Sequence, residues 1–100
     1  MTPEGKVKTK VKQMLEKYKI YYFMPVKHQL YGKAGIGDFI CCVNSRFLAI
    51  ETKGPDGEQT ELQEEDMKDV RESKGLKLII KMEDLNYLET TIIRLLSLES

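Results

Sequence analysis

The chain predicts a mixed α/β fold: a small central sheet flanked by helices, in the order α-β-β-β-α-β-α, over one domain spanning residues 1–100. Three observations carry this expectation. Helix-start signals stand at Thr2-Pro3-Glu4 and at Thr60-Glu61-Leu62-Gln63, and the first and last stretches repeat apolar residues at helical spacing. Short apolar runs rich in aromatic and β-branched residues lie between them. Only the fourth of these runs follows a helix, so the first three can meander antiparallel while the fourth pairs in parallel through a right-handed crossover.

Each element has its own local reason. Thr2 reads as an N-cap, Pro3 as a first-turn residue and Glu4 as a complement to the helix dipole. Val7, Val11, Met14, Leu15 and Tyr18 then follow on one helical face. Ile20-Tyr21-Tyr22-Phe23 reads as a strand that Pro25 ends, and residues 27–37 read as a loop marked by Gly32, Gly35 and Gly37. The runs Asp38–Val43 and Phe47–Ile50 form a hairpin around Asn44-Ser45-Arg46. Gly54-Pro55-Asp56-Gly57 is a turn. Thr60 and Gln63 form a capping box for an acidic helix that stops at Lys74-Gly75, with glycine at the C′ position. Leu76 to Ile80 is a strand, and a final helix starting near Glu83-Asp84 buries Leu85, Leu88, Ile92, Leu95 and Leu96.

Bulk properties exclude several classes. No apolar stretch is long enough to span a bilayer, and the N-terminus lacks the apolar core of a signal peptide, so the protein is expected in the cytoplasm. Cys41 and Cys42 are neighbours in a strand, point to opposite faces, and read as two small apolar core residues rather than a disulfide. A lone histidine, His28, removes zinc-finger spacing. Net charge is zero, but residues 1–50 carry nine basic and three acidic side chains. That asymmetry suits a polyanionic partner, and equally a solvated lysine face.

The chemistry concentrates at the hairpin's open end. Residues two apart in a strand share a face, so Glu51 and Lys53 extend one face outward together. With the turn centred on Asn44-Ser45, Asp38 becomes a neighbour of Glu51. Two carboxylates so placed repel, and a divalent cation, Mg²⁺ or Mn²⁺, relieves the repulsion. The backbone carbonyl of Thr52 supplies a further oxygen ligand, and Lys53 can hold a water or stabilise charge on a phosphate. The ordinary alternative is a solvated strand end with surface ion pairs.

The run Gly35-Ile36-Gly37-Asp38-Phe39-Ile40, then Phe47-Leu48-Ala49-Ile50-Glu51-Thr52-Lys53, then Thr60-x-x-Gln63 and Gly75 resembles the VRR-NUC domain of the PD-(D/E)XK nuclease superfamily. The resemblance covers about Thr2 to Ile80 and implies a restriction-endonuclease-like fold. It implies Asp38 and Glu51 as metal ligands, Lys53 as the catalytic lysine and Gln63 as an active-site residue. It implies Glu4 as a first-helix carboxylate reaching the metal through water, with Glu16 a rival on the same helix. Gln63 and Glu4 also have plain readings as a capping-box partner and a dipole complement. Gly37 stands where the superfamily motif has proline, a change in loop stiffness more than in chemistry.

The resemblance further implies a metal-dependent endodeoxyribonuclease acting on branched DNA, a four-way junction or a flap. It would be a homodimer related to Holliday junction resolvases and of phage type, active in the host cytoplasm. Its interface would be the last helix or the Tyr21-Tyr22-Phe23 strand. A nicking or restriction-like enzyme on duplex DNA and a non-cutting DNA-binding module are the alternatives. Lys6, Lys10, Lys17, Lys27 and Lys33 are the expected phosphate contacts, and Tyr21, Tyr22 and Tyr31 the candidates for base stacking.

Overall fold

Thr2 caps the first helix, α1 (Pro3–Lys17), by accepting the Gly5 amide at 3.0 Å on its hydroxyl. Such a cap is worth about 1 kcal/mol. The computed structural model describes residues 1–26 and 35–99. The remaining elements are β1 (Tyr21–Phe23), β2 (Phe39–Val43), β3 (Arg46–Thr52), α2 (Glu61–Glu72), β4 (Leu76–Ile80), a 3-10 turn (Met82–Asp84) and α3 (Leu85–Ser97). The order is the expected α-β-β-β-α-β-α. The four strands form one mixed sheet in the order β1-β2-β3-β4. The first two pairings are antiparallel, and β4 joins β3 in parallel.

Two helix ends share one device. At the end of α1, Lys19 takes φ +56°, its amide bonds the Glu16 carbonyl, and the Ile20 amide bonds the Leu15 carbonyl. At the end of α2, Lys74 takes φ +69°, its amide bonds the Arg71 carbonyl, and the Gly75 amide bonds the Val70 carbonyl. These are Schellman closures. The left-handed C′ residue of α2 is therefore Lys74, not Gly75 as the sequence suggested. Gly75 serves packing instead: a Cβ there would stand 3.0 Å from both the Phe47 ring and a Val70 methyl.

The hairpin turn is tighter than expected. Asn44 and Ser45 both have positive φ, at +52° and +70°, and Arg46 already belongs to β3. Two such residues make the turn whose twist matches the flanking strands. Asn44 also donates to the Leu95 and Leu98 carbonyls at 2.9 and 2.6 Å, tying the turn to the end of α3.

The sheet has two unlike faces. Phe39, Cys41, Val43, Leu48, Ile50, Leu78 and Ile80 face α1 and α3, where they meet Val7, Val11, Leu15, Leu88 and Ile92. Fully burying one such side chain stabilises by about 1.5–3 kcal/mol. The other face carries α2 over β4, and on it Tyr21 and Phe23 of β1, Cys42 of β2 and Phe47 of β3 are exposed. Tyr22 points inward, meeting the Phe39 ring edge-on at 5.8 Å and donating to Glu16 at 2.8 Å. It is a packing residue and not a stacking platform. No described helix is long and apolar enough to cross a membrane.

Candidate active site

Asp38 stands one step beyond the Phe39–Ile50 pair, so the register continued by one residue sets it opposite Glu51. Gly37 lets the chain arrive there. A Cβ on Gly37 would lie 2.9 Å from the Ile50 carbonyl oxygen, so proline or any larger residue would push Asp38 away from β3. That is the physical content of the departure noted at this position.

The Asp38 carboxylate is buried, with 4 % of the residue exposed. Its Oδ2 accepts from the Thr52 amide at 2.7 Å and from the Thr52 hydroxyl at 2.8 Å. Both lie at the short end of the usual hydrogen-bond range. Its Oδ1 faces the Lys8 ammonium at 3.7 Å. One oxygen is thus fixed by protein donors while the other is turned toward a cation.

Backbone geometry adds the carbonyl. Within a strand, the N–H and C=O of one residue point to the same neighbour. The Thr52 amide points at Asp38 and the Lys53 amide bonds Ile80 on the opposite side. The Thr52 carbonyl therefore lies on the Asp38 edge. Glu51 is 2 % exposed and, by alternation with Leu48, Ile50 and Thr52, belongs to the α2 face. Lys53 follows on that side, its stem running over the turn so closely that a Cβ on Gly57 would meet it at 3.1 Å.

The structure thus brings Asp38 together with both backbone and side chain of Thr52, with Glu51 on the adjacent strand. Thr52 and Lys8 are both partners of the Asp38 side chain. No three His, Cys, Asp or Glu side chains among the described residues converge as a metal cage.

Glu4 lies on the first turn of α1, half exposed, with Lys8 at 3.9 Å. Residues four apart share a helix face, so Lys8 joins Glu4 to Asp38. Glu16 sits at the far end of α1, bonded to Tyr22, and takes no part in the site. Gln63 completes the capping box: its Oε1 accepts the Thr60 amide at 2.9 Å and its own amide donates to the Thr60 hydroxyl at 3.1 Å. What it can offer a substrate is its NH₂ group.

Lys6 and Lys10 are exposed on α1. Lys17 is paired with Glu89 at 3.0 Å near the opposite end of that helix. The contacts expected of Lys27 and Lys33, and the positions of His28, Tyr31 and Gly32, lie outside the described residues.

No protein-family model, no curated protein and no solved structure matches the chain.

Three participants escaped the sequence reading. Lys8 had a signal, its i,i+4 spacing from Glu4. Thr52 was read only through its carbonyl. The third is a buried ion pair beneath α2. Lys77, its side chain wholly buried, donates to Asp66 at 2.7 Å and to the Gly35 carbonyl at 2.8 Å. Its signal was a lysine inside the apolar run Leu76–Ile80, since a charge in a buried strand must be paired.

Proposed function

We propose that this protein is a divalent-metal-dependent endodeoxyribonuclease of the VRR-NUC type within the PD-(D/E)XK superfamily, cutting branched DNA. The observation that carries the reading is the pair of hydrogen bonds that Thr52 donates to Asp38. A buried carboxylate is oriented by Thr52 on one oxygen and faces Lys8 with the other, on the strand beside a second buried carboxylate, Glu51.

The donor set fits the proposed metal. Asp38, Glu51 and the Thr52 carbonyl are hard oxygen donors, which suit Mg²⁺ or Mn²⁺. Magnesium commonly binds through one or two carboxylates plus substrate phosphates, so a third acidic ligand is not required. When bound, the ion would polarise the phosphate and lower the pKa of a coordinated water. Lys53 provides an ammonium for negative charge developing on the phosphate. Lys8 neutralises Asp38 in the absence of a metal and becomes a second cation for DNA once displaced. Glu4 orients Lys8, and a contact of Glu4 with the metal through water belongs to the same proposal. Gln63 contributes its amide NH₂ as a donor.

Lys6 and Lys10 supply phosphate contacts that carry no sequence information. A homodimer would present two such sites to a two-fold junction. Either exposed apolar set, Tyr21 and Phe23 on β1 or Ile93 and Leu96 on α3, offers surface for it, Leu96 being exposed rather than buried as helical spacing suggests. A cytoplasmic location, in a phage-infected host, belongs to this proposal.

The test is incubation of purified protein with plasmid, linear duplex and a four-way junction in Mg²⁺ or Mn²⁺. Cleavage confined to the junction is expected. Cutting of plain duplex would favour a nicking or restriction-like enzyme. Binding without cutting would favour a module in which Lys8 permanently replaces the metal, a reading supported by the 3.7 Å contact between Lys8 and Asp38.

A further inference from the structure

Lys77 is the most deeply placed charge among the described residues, its side chain showing no exposed surface. It sits on β4 beside Ala49, on the sheet face that α2 covers. An ammonium there demands acceptors. Asp66 on α2 is one, at 2.7 Å, and the Gly35 carbonyl is the other, at 2.8 Å.

The Gly35 contact has structural reach. Gly35 takes φ +81°, and a Cβ on it would collide with the Leu62 carbonyl at 2.3 Å. The chain at this point is therefore pressed against the first turn of α2 and tied there by Lys77. Three residues later it delivers the Asp38 carboxylate to the Thr52 amide. Only Ile36 and Gly37 intervene, and Gly37 is itself in close contact with the Ile50 carbonyl.

We infer that Lys77 is a positioning residue: its tether to the Gly35 carbonyl holds the approach to Asp38 and so sets the carboxylate on Thr52. The mechanical claim stands on geometry alone, and its meaning for metal binding rests on the proposed role of Asp38 as a ligand. Asp66 has a different task, to balance the buried charge.

The test uses the double variant Lys77→Met/Asp66→Leu, which removes the tether together with the carboxylate that balances it. A buried ion pair replaced by apolar residues of similar size is commonly tolerated. Amide hydrogen exchange is read by NMR at two adjacent positions, Thr52 and Lys53. The Thr52 amide bonds Asp38, whereas the Lys53 amide bonds Ile80 across the sheet. Loss of positioning accelerates exchange at Thr52 alone, by about tenfold or more. In the same variant Mn²⁺ affinity, measured by calorimetry, falls by about 10- to 100-fold, the usual loss when an outer partner of a ligand is removed.

Asp66→Asn, which keeps the Gly35 contact, retains Thr52 protection. Equal acceleration at Thr52 and Lys53, or none at either, would overturn the inference and reduce Lys77 to general packing. Should the unaltered protein bind no Mn²⁺, the metal-site reading fails, while the Thr52 and Lys53 comparison still decides the positioning claim.

Discussion

Thr52 grips Asp38 with two donors, its amide at 2.7 Å and its hydroxyl at 2.8 Å, both on the same carboxylate oxygen. The hydroxyl is the removable half of that grip. Thr52→Val keeps shape and amide but loses one bond to a charged group. Stability should fall by about 2 kcal/mol, measured by urea unfolding, while Thr52→Ser stays near the parent. An unchanged midpoint for the valine variant would show that the hydroxyl does not hold Asp38.

Lys53 follows Thr52 at the exit of the strand and is half-buried. Lys53→Ala should leave the fold and DNA binding intact and slow cutting by at least about 10²- to 10³-fold, as for loss of a group that stabilises developing charge. Asp38→Ala and Glu51→Ala should each lose Mn²⁺ binding by calorimetry. Parent-like cutting by the lysine variant, or parent-like metal affinity in both acid variants, would remove those residues from the proposed mechanism.

Lys6 and Lys10 are exposed on α1, whose first turn carries Glu4. If they meet phosphates, DNA affinity should fall steeply with salt, and Lys6→Gln with Lys10→Gln should flatten the slope by about two contacts' worth of released counterions. A salt response identical to the parent would return both lysines to the role of a solvated face.

The α1–α3 junction should confer acid sensitivity. Glu89 accepts from Tyr18 at 2.6 Å and from Lys17 at 3.0 Å. The Tyr18 hydrogen bond first, and then Lys17, hold its carboxyl below the ordinary range. A carboxyl depressed on folding adds stability above its unfolded pKa, and that stability is lost as pH falls through the folded value. Lys17 is raised by the same contact, so its share persists through neutral pH and is lost only in strong base. Thermal melts from neutral to acid pH should therefore converge for the parent and Glu89→Gln. A constant gap between them would reject the linkage.

The two cysteines should react unequally. Cys41 is buried, and burial, with a smaller contribution from Cys42, pushes its thiol up to about 12. Cys42 is exposed, not a core residue as its place in an apolar run suggests, because neighbours in a strand point to opposite faces. A disulfide reagent should titrate one thiol in the native protein and two after denaturation, because the thiolate is the reactive form. Two fast thiols in the native state would mean that the β1–β2 region opens readily.

Much of this was legible in order along the chain. The cap at Thr2, the box at Thr60 and Gln63, and the alternation through Phe47–Thr52 are local patterns that act over three or four residues. Glycine at position 75 answers to close contact with Phe47 on β3 and Val70 on α2, which local composition cannot register. Lys17 was grouped with the basic face because its partner, Glu89, lies on α3, far away in sequence.

By itself the sequence determined the succession of helices and strands, the hairpin, and the meeting of Asp38 with the Glu51–Lys53 segment at its open end. These depend on periodicity and on turn residues, which are short-range. Only the tertiary structure decided how the charges are shared: Lys8 on Asp38, Thr52 holding its other oxygen, and Lys77 buried between Asp66 and Gly35. Charge pairing acts through space over a few ångströms, between residues that only the packing of α1 and α2 against the sheet brings within reach.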